Sequence, residues 1–391
     1  MSIYSVGNDL YTGEKSFDFV GKRKIWFTIA AVAIALSLAS LIVRGLNLGV
    51  EFTGGSQFTV SNTSNTSEAP AQEVMKEYLG EGAARVSTLG DSSVRVQITK
   101  ETADDAKCGD AGDAKCGDQQ LSNAQSEEIR VKLAEAYGVT AEDVTSTYIG
   151  PSWGQDISKK ALRGFIVFVV LAALGLTLYF RTWRNAAGAI MALFNDLVVT
   201  VGIYSIFNFE VTPASVIGLL TILAYSLYDT VVVFDKVREN TEKLLKQEDY
   251  TFAESTNLAV NQTLIRTLNT SVTSLLPVGS ILFIGVWLMG AATLRDLALV
   301  MFVGLILSSL SSMFIAAPLA VALTETDPEI KEHTAKVLAK RQERKAERQA
   351  RIDAGENPED IDDVPAKAIM AAPGQHLGNR AQRNRKKRKK K

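Results

Sequence analysis

The chain of 391 residues carries 42 Lys and Arg against 43 Asp and Glu, and 47% of it is hydrophobic. Those totals alone would fit a large soluble protein, but the apolar residues are gathered into runs of about 18 to 25, long enough to cross a bilayer. The only two histidines, His333 and His376, lie near the C-terminal end, and no nucleotide-binding or metal-ligand motif accompanies them, so neither an enzyme nor a metal or cofactor site is expected.

Residues 1–24 read as a polar leader ending in Lys22, Arg23 and Lys24, followed by an apolar run over 25–43. No small-residue cleavage site follows that run, which reads as a retained anchor. It delivers the chain to Gly49-Val50-Glu51-Phe52-Thr53-Gly54-Gly55, whose paired glycines permit a tight turn or a close backbone approach.

From Ser56 to Gly150 strand and helix periodicities alternate. Strands are expected over 57–60, 85–89, 94–99 and 144–149, and helices over 69–79 and 121–137. That β-α-β-β-α-β order predicts a ferredoxin-like α+β domain within 44–160, two helices covering one face of a four-stranded antiparallel sheet. The other face is expected to stay free for another subunit or a client chain. Before the second helix, Asp105–Asp110 is repeated as Asp113–Asp118, and the repeat carries both cysteines, Cys108 and Cys116. A loop closed by a disulfide, or left open, fits better than a metal site, because no histidine is near.

Five further apolar runs follow, over 161–180, 186–207, 214–234, 270–290 and 297–323, giving six transmembrane helices. Orientation follows the basic residues near helix ends. Lys22–Lys24, Arg181 and Arg184, and Lys236, Arg238, Lys243 and Lys246 mark one side as cytoplasmic, whereas the turn over 208–213 has no Lys or Arg. Both termini are then inside and the domain over 44–160 outside, although Arg44, Lys159, Lys160, Arg163 and Arg295 oppose the pattern. The connection over 235–269, helical in pattern, and the charged, largely disordered tail over 324–391 fall on the cytoplasmic side. Within the tail, 336–351 reads as a solvated helix, and the basic stretch over 380–391 reads as a contact for anionic lipid, with a nucleic-acid contact not expected.

Two runs contain carboxylates. Asp229 lies in the middle of the fourth and Asp196 beside Asn195 in the third. A charged residue at a membrane helix centre costs about 2.5–3.5 kcal/mol on insertion scales, which makes each a functional candidate. Packing hydrogen bonds to a neighbouring helix are the plain alternative, and for Asp196 the two readings are balanced. Thr221, Tyr225 and Ser226 precede Asp229 at helical spacing and extend a polar stripe. Gln262, Arg266, Thr270 and Thr273 form another stripe entering the fifth run, so Arg266 is either the partner of Asp229 or a boundary arginine reaching for the interface.

Taken with Gly49–Gly55, Tyr225–Asn240, Asn261–Leu276 and Phe314–Leu319, these features resemble the SecD/SecF family of bacterial protein-export membrane proteins, relatives of the resistance-nodulation-division transporters. The resemblance implies a place in the bacterial inner membrane, a pseudo-symmetric six-span partner, SecD, and association with the SecYEG channel, YajC and the translocating unfolded preprotein. It also implies protons as the coupling ion, with Asp229 at the position assigned to proton conduction and Arg266 at that of its accompanying arginine. Asn195 stands where many relatives carry His, and Tyr228 replaces a frequent Asn, which weakens a proton role for the third run but not for Asp229. A proton-driven exporter half for small molecules or lipids, and a structural assembly subunit, are the competing readings.

Overall fold

The computed structural model describes residues 10–11, 16–80, 84–88, 92–99, 123–180, 183–288 and 294–354. The repeat with Cys108 and Cys116, and the basic stretch over 380–391, lie outside the described residues. Six helices are long and apolar enough to span a membrane: Arg23–Arg44, Ser152–Phe180, Trp183–Ile206, Pro213–Lys246, Phe252–Val286 and Arg295–Thr324, numbered one to six below.

The helices start earlier than their apolar runs because their polar turns are capped. Thr212 accepts from the Ser215 amide with Pro213 in the first turn, and Thr251 and Glu254 form a reciprocal capping box. Span five therefore runs from Phe252, not from 270, which places Arg266 in mid-helix and shortens the connection expected over 235–269. Pro277 sits inside this helix, and a π-helical segment, Ile281–Leu288, follows directly. The tail helix likewise starts at Pro328, where Asp327 accepts from the Glu329 amide, rather than at 336.

Burial sorts the bundle into two shells. Spans three, four and six are 50%, 39% and 44% buried over their most apolar windows, whereas spans one, two and five are 11%, 6% and 6% buried. The outer spans present Ile25, Ile29 and Leu36, and Leu162, Val170 and Leu178, as a surface suited to lipid or to another membrane chain. Small residues bring the helices together. A Cβ built on Gly202 of span three would overlap the Ser37 side chain of span one and lie 2.7 Å from the Ser37 Cα. We expect Gly202→Val to force those spans apart and cost about 1–3 kcal/mol, visible as a lower unfolding midpoint of the purified protein.

Between spans one and two lies an α/β domain. Strand β1, Asn47–Leu48, is followed by a helical turn, Val50–Thr53, and then by β2 (Gly55–Val60), helix Ala69–Leu79, β3 (Arg85–Thr88), β4 (Val94–Thr99), helix Asn123–Tyr137 and β5 (Val144–Ile149). The four longer strands form one antiparallel sheet in the order β3-β4-β2-β5. Phe58, Val60, Val94, Val96 and Ile98 meet Met75, Leu79, Ile129 and Leu133 in its core, while β4 turns Arg95 and Gln97 to the other face. That face is not wholly free. Arg95 and Gln97 are buried against the loop joining spans three and four, because β6, Glu210–Val211, pairs in parallel with β1 and carries Glu210 beneath the sheet.

At the opposite end, Arg23 bonds Glu325 and Arg184 bonds Asp327, both at 2.6 Å, gathering spans one, three and six. Asn257 and Asn261 of span five hold the leader backbone: Asn261 accepts from the Phe17 amide at 2.7 Å and Asn257 from the Phe19 amide at 2.9 Å. The tail helix lies on the loop between spans four and five and on the first turn of span five, through Lys340–Glu248, Arg344–Asp249, His333 against the Gln247 carbonyl, and Arg341–Glu254.

Candidate functional site

Two polar clusters interrupt the apolar packing. The first lies inside the bundle, where spans three, four and six meet. Asp229 is 8% exposed and its carboxylate accepts from Ser312 Oγ of span six at 2.9 Å. Asp196 is 1% exposed and accepts from Ser226 Oγ of span four at 2.6 Å and from Asn195 Nδ2 at 3.3 Å. Ser226 is thus drawn to Asp196 and does not extend a stripe with Asp229. Tyr225 faces outward at 42% exposure, and Thr221 bonds the Ile217 carbonyl of its own helix.

The expected Asp229–Arg266 ion pair is not formed. Among the described residues no cation lies within salt-bridge distance of Asp229, and Arg266 Nη2 instead donates to the Tyr228 hydroxyl at 3.3 Å. Helical geometry explains this: neighbouring residues on a helix diverge by about 100°, so Asp229 turns inward while Tyr228 turns out to an exposed face shared with Arg266. Ser312, the actual partner, opens a π-helical segment, Ser312–Ala316, a distortion often found at functional sites. The serines of span six are legible in the sequence as a small, close-packing surface, but nothing there singles out Ser312.

The second cluster joins the α/β domain to the bundle. The Gly49 amide donates to the Val211 carbonyl at 2.9 Å, Thr53 Oγ1 bonds the Gly49 carbonyl at 3.2 Å, and the Gly54 amide closes the turn on the Val50 carbonyl at 2.8 Å. Gly54 and Gly55 have φ of 79° and 136°, the region that favours glycine, and they swing the chain from the turn into β2. Phe52 is the backbone on which span two starts: a Cβ on Gly154 would come within 2.8 Å of the Phe52 carbonyl oxygen. Around Gly49 stand two carboxylates, Glu51 and Glu210. Arg95 ion-pairs with Glu210, Gln97 Nε2 donates to it at 2.5 Å, and one Glu51 oxygen is buried without a partner.

Burial pushes the Glu51 carboxyl above its ordinary value of 4.5; its backbone hydrogen bond and Arg95 oppose the rise, while Glu210 and Asp296 add to it. A carboxyl raised in the docked state adds stability that is fully present below its unfolded value and is lost as pH rises through the docked one. The Glu51 contribution to domain docking should therefore be fully present below pH 4.5 and fall as pH rises above it, and Glu51→Gln should remove that part of the pH dependence. Hydrogen exchange of the β1 and β6 amides across that range measures it.

Six membrane helices, a buried carboxylate on each of two central spans and an α/β domain latched to the bundle by a glycine-rich turn define a multi-pass membrane protein built around intramembrane charge. Residues 129–326 match the model of the C-terminal part of the protein export membrane proteins SecD/SecF, and residues 39–61 match the SecD/SecF GG motif. The chain belongs to the SecD/SecF family. It is 43% identical over 337 residues to the protein translocase subunit SecF of Streptomyces coelicolor, covering 86% of this chain and 84% of that one. With SecF of Mycobacterium tuberculosis H37Rv the identity is 38% over 383 residues, covering 95% and 82%. The crystal structure of SecDF from Thermus thermophilus, titled a translocon-associated membrane protein, superposes with a TM-score of 0.66 at 27% identity, covering 79% of this chain. This chain spans 39% of that longer SecDF chain.

Proposed function

We propose that this chain is a SecF-type subunit that works with a SecD-type partner and uses proton-motive force to assist protein export through SecYEG, with YajC as a further associate. The observation that carries the proposal is Asp229, buried at the centre of span four in a member of an export family and held by a hydroxyl rather than by a cation. A hydroxyl donates to an ionised carboxylate and accepts from a protonated one, so the contact survives protonation but loses its charge assistance and weakens. Arg266 and Tyr228 lie on an exposed face, where an arginine in lipid is costly, and a SecD-type subunit covering that face would bring the guanidinium into the protein interior.

In this reading protonation of Asp229 removes its charge, loosens Ser312 and lets span six move against span four. Asp196 with Asn195 forms a second polar site. The α/β domain, ferredoxin-like by its strand order and outside the bacterial inner membrane, would carry that motion to the translocating preprotein through the latch at Gly49–Gly55. Both termini are cytoplasmic, as the basic ends of spans one, three and four suggest, and the basic tail meets anionic lipid.

Depletion of this chain in its host should slow maturation of exported preproteins, and the wild-type chain should restore it. Normal export after depletion, with the SecD-type partner also unaffected, would remove the export role.

A further inference from the structure

The two membrane carboxylates are served by adjacent residues of one helix. Ser312 bonds Asp229, and its neighbour Ser311 faces Asp196 without reaching hydrogen-bond geometry. Both serines are almost wholly buried, at 1% and 3% exposure. On span four, Ser226 bonds Asp196 only three residues before Asp229, about 4.5 Å along the axis. The carboxylates of spans three and four therefore share one buried polar seam with span six.

Among the described residues three polar atoms in this seam have no partner: Ser311 Oγ, Thr267 Oγ1 and Asn195 Oδ1. Leaving a buried donor or acceptor unpaired is costly, and buried polar groups are ordinarily satisfied. Thr267 faces Asp229 from span five as Ser311 faces Asp196 from span six, so the spare hydroxyls lie beside the carboxylates. Arg266, on the exposed face, is the one charged group whose field acts on either carboxylate among the described residues.

We propose that Asp196 is a second proton-binding carboxylate, which exchanges its proton with Asp229 along the hydroxyls of Ser312 and Ser311. This rests on the reading of Asp229 as the proton-coupling residue. In the transfer the Asp229 carboxylic O–H bond breaks as its proton joins Ser312 Oγ. The original Ser312 hydroxyl proton passes to Ser311 Oγ, and the Ser311 proton to the Asp196 carboxylate. Both serines finish as neutral hydroxyls, one proton has moved from Asp229 to Asp196, and the negative charge has moved the opposite way. Ser311 Oγ is hydrogen-bonded to neither group, so a χ1 rotamer change that swings it between Ser312 Oγ and Asp196 closes the chain. The π-helical segment beginning at Ser312 lets one span present consecutive residues to carboxylates on two others.

The test uses the chain reconstituted in vesicles with its SecD-type partner, measured by proton flux and by infrared titration of the carboxylic-acid carbonyl stretch. Two titrating bands are expected, one lost in Asp229→Asn and the other in Asp196→Asn, and the surviving band in each variant reports an intact fold. Asp196→Asn and Ser311→Ala should lower flux at least tenfold, Ser311→Ala with both bands retained, and Ser311→Thr should restore it. Full flux in Asp196→Asn alongside a dead Asp229→Asn would overturn the relay alone. Full flux in Asp229→Asn would overturn the reading of Asp229 itself.

Discussion

Asp229→Asn is expected to remove the part of preprotein export that an uncoupler removes from the wild type, with the subunit still present and assembled at wild-type level. The size follows from the energy that one proton makes available. An elementary charge crossing 100 mV is worth about 2.3 kcal/mol, enough to change a two-state ratio roughly fiftyfold. If protonation at this one carboxyl sets that ratio, a permanently neutral amide leaves the bundle in one state whatever the gradient. Ser312 can still bond the amide oxygen, so packing is retained and the loss falls on coupling rather than on folding. Arg266→Met should give a similar loss, because it removes the one charged group whose field acts on Asp229 among the described residues. Undiminished uncoupler-sensitive export in both variants would make Asp229 a packing residue.

The second large effect is expected at the latch. Arg95 and Glu210 side chains are 11% and 12% exposed, and removing one member of a buried ion pair typically costs about 3–5 kcal/mol because the other charge is left uncompensated. Glu210→Ala should therefore undock the α/β domain from the loop between spans three and four, with the β1–β6 amides exchanging far faster. Replacing both residues together, as Arg95→Met with Glu210→Leu, should recover much of the stability, since no charge is then buried alone. In the proposed function that double variant is the more informative. It separates holding the domain in place from any need for charge in moving it.

How much of this could be read from the chain depends on whether the signal is local. The spans were legible because crossing a bilayer demands a long apolar run, and Asp229 because a charge inside such a run stands out. Helix starts were less legible: the polar turns from Phe252 to Asn269 continue a helix under capping by Thr251 and Glu254, which hydropathy does not register. Ser312 lies 83 residues from Asp229, and a serine in a small-residue stretch looks like packing. Arg266 stands out in the sequence as a basic residue on a polar stripe entering an apolar run, yet its hydrogen bond goes to Tyr228, because which face of span four turns inward depends on spans three and six.

Glu210 was hidden for a similar reason. In sequence it is an acidic residue in a short outer loop, and only the parallel pairing of β1 with β6 places it under Arg95 and Gln97. The glycine-rich turn was plain as a turn, but its role as the seat of both the loop and the start of span two rests on contacts with Val211 and Gly154.

In the proposed function Asp229 couples proton movement to export. Proton uptake into vesicles that hold this chain and its SecD-type partner, followed with an enclosed pH-sensitive dye under an imposed membrane potential, tests it most directly. Uptake is expected in the wild type, absent in Asp229→Asn and retained in the conservative Asp229→Glu. Equal uptake in wild type and Asp229→Asn would contradict that coupling.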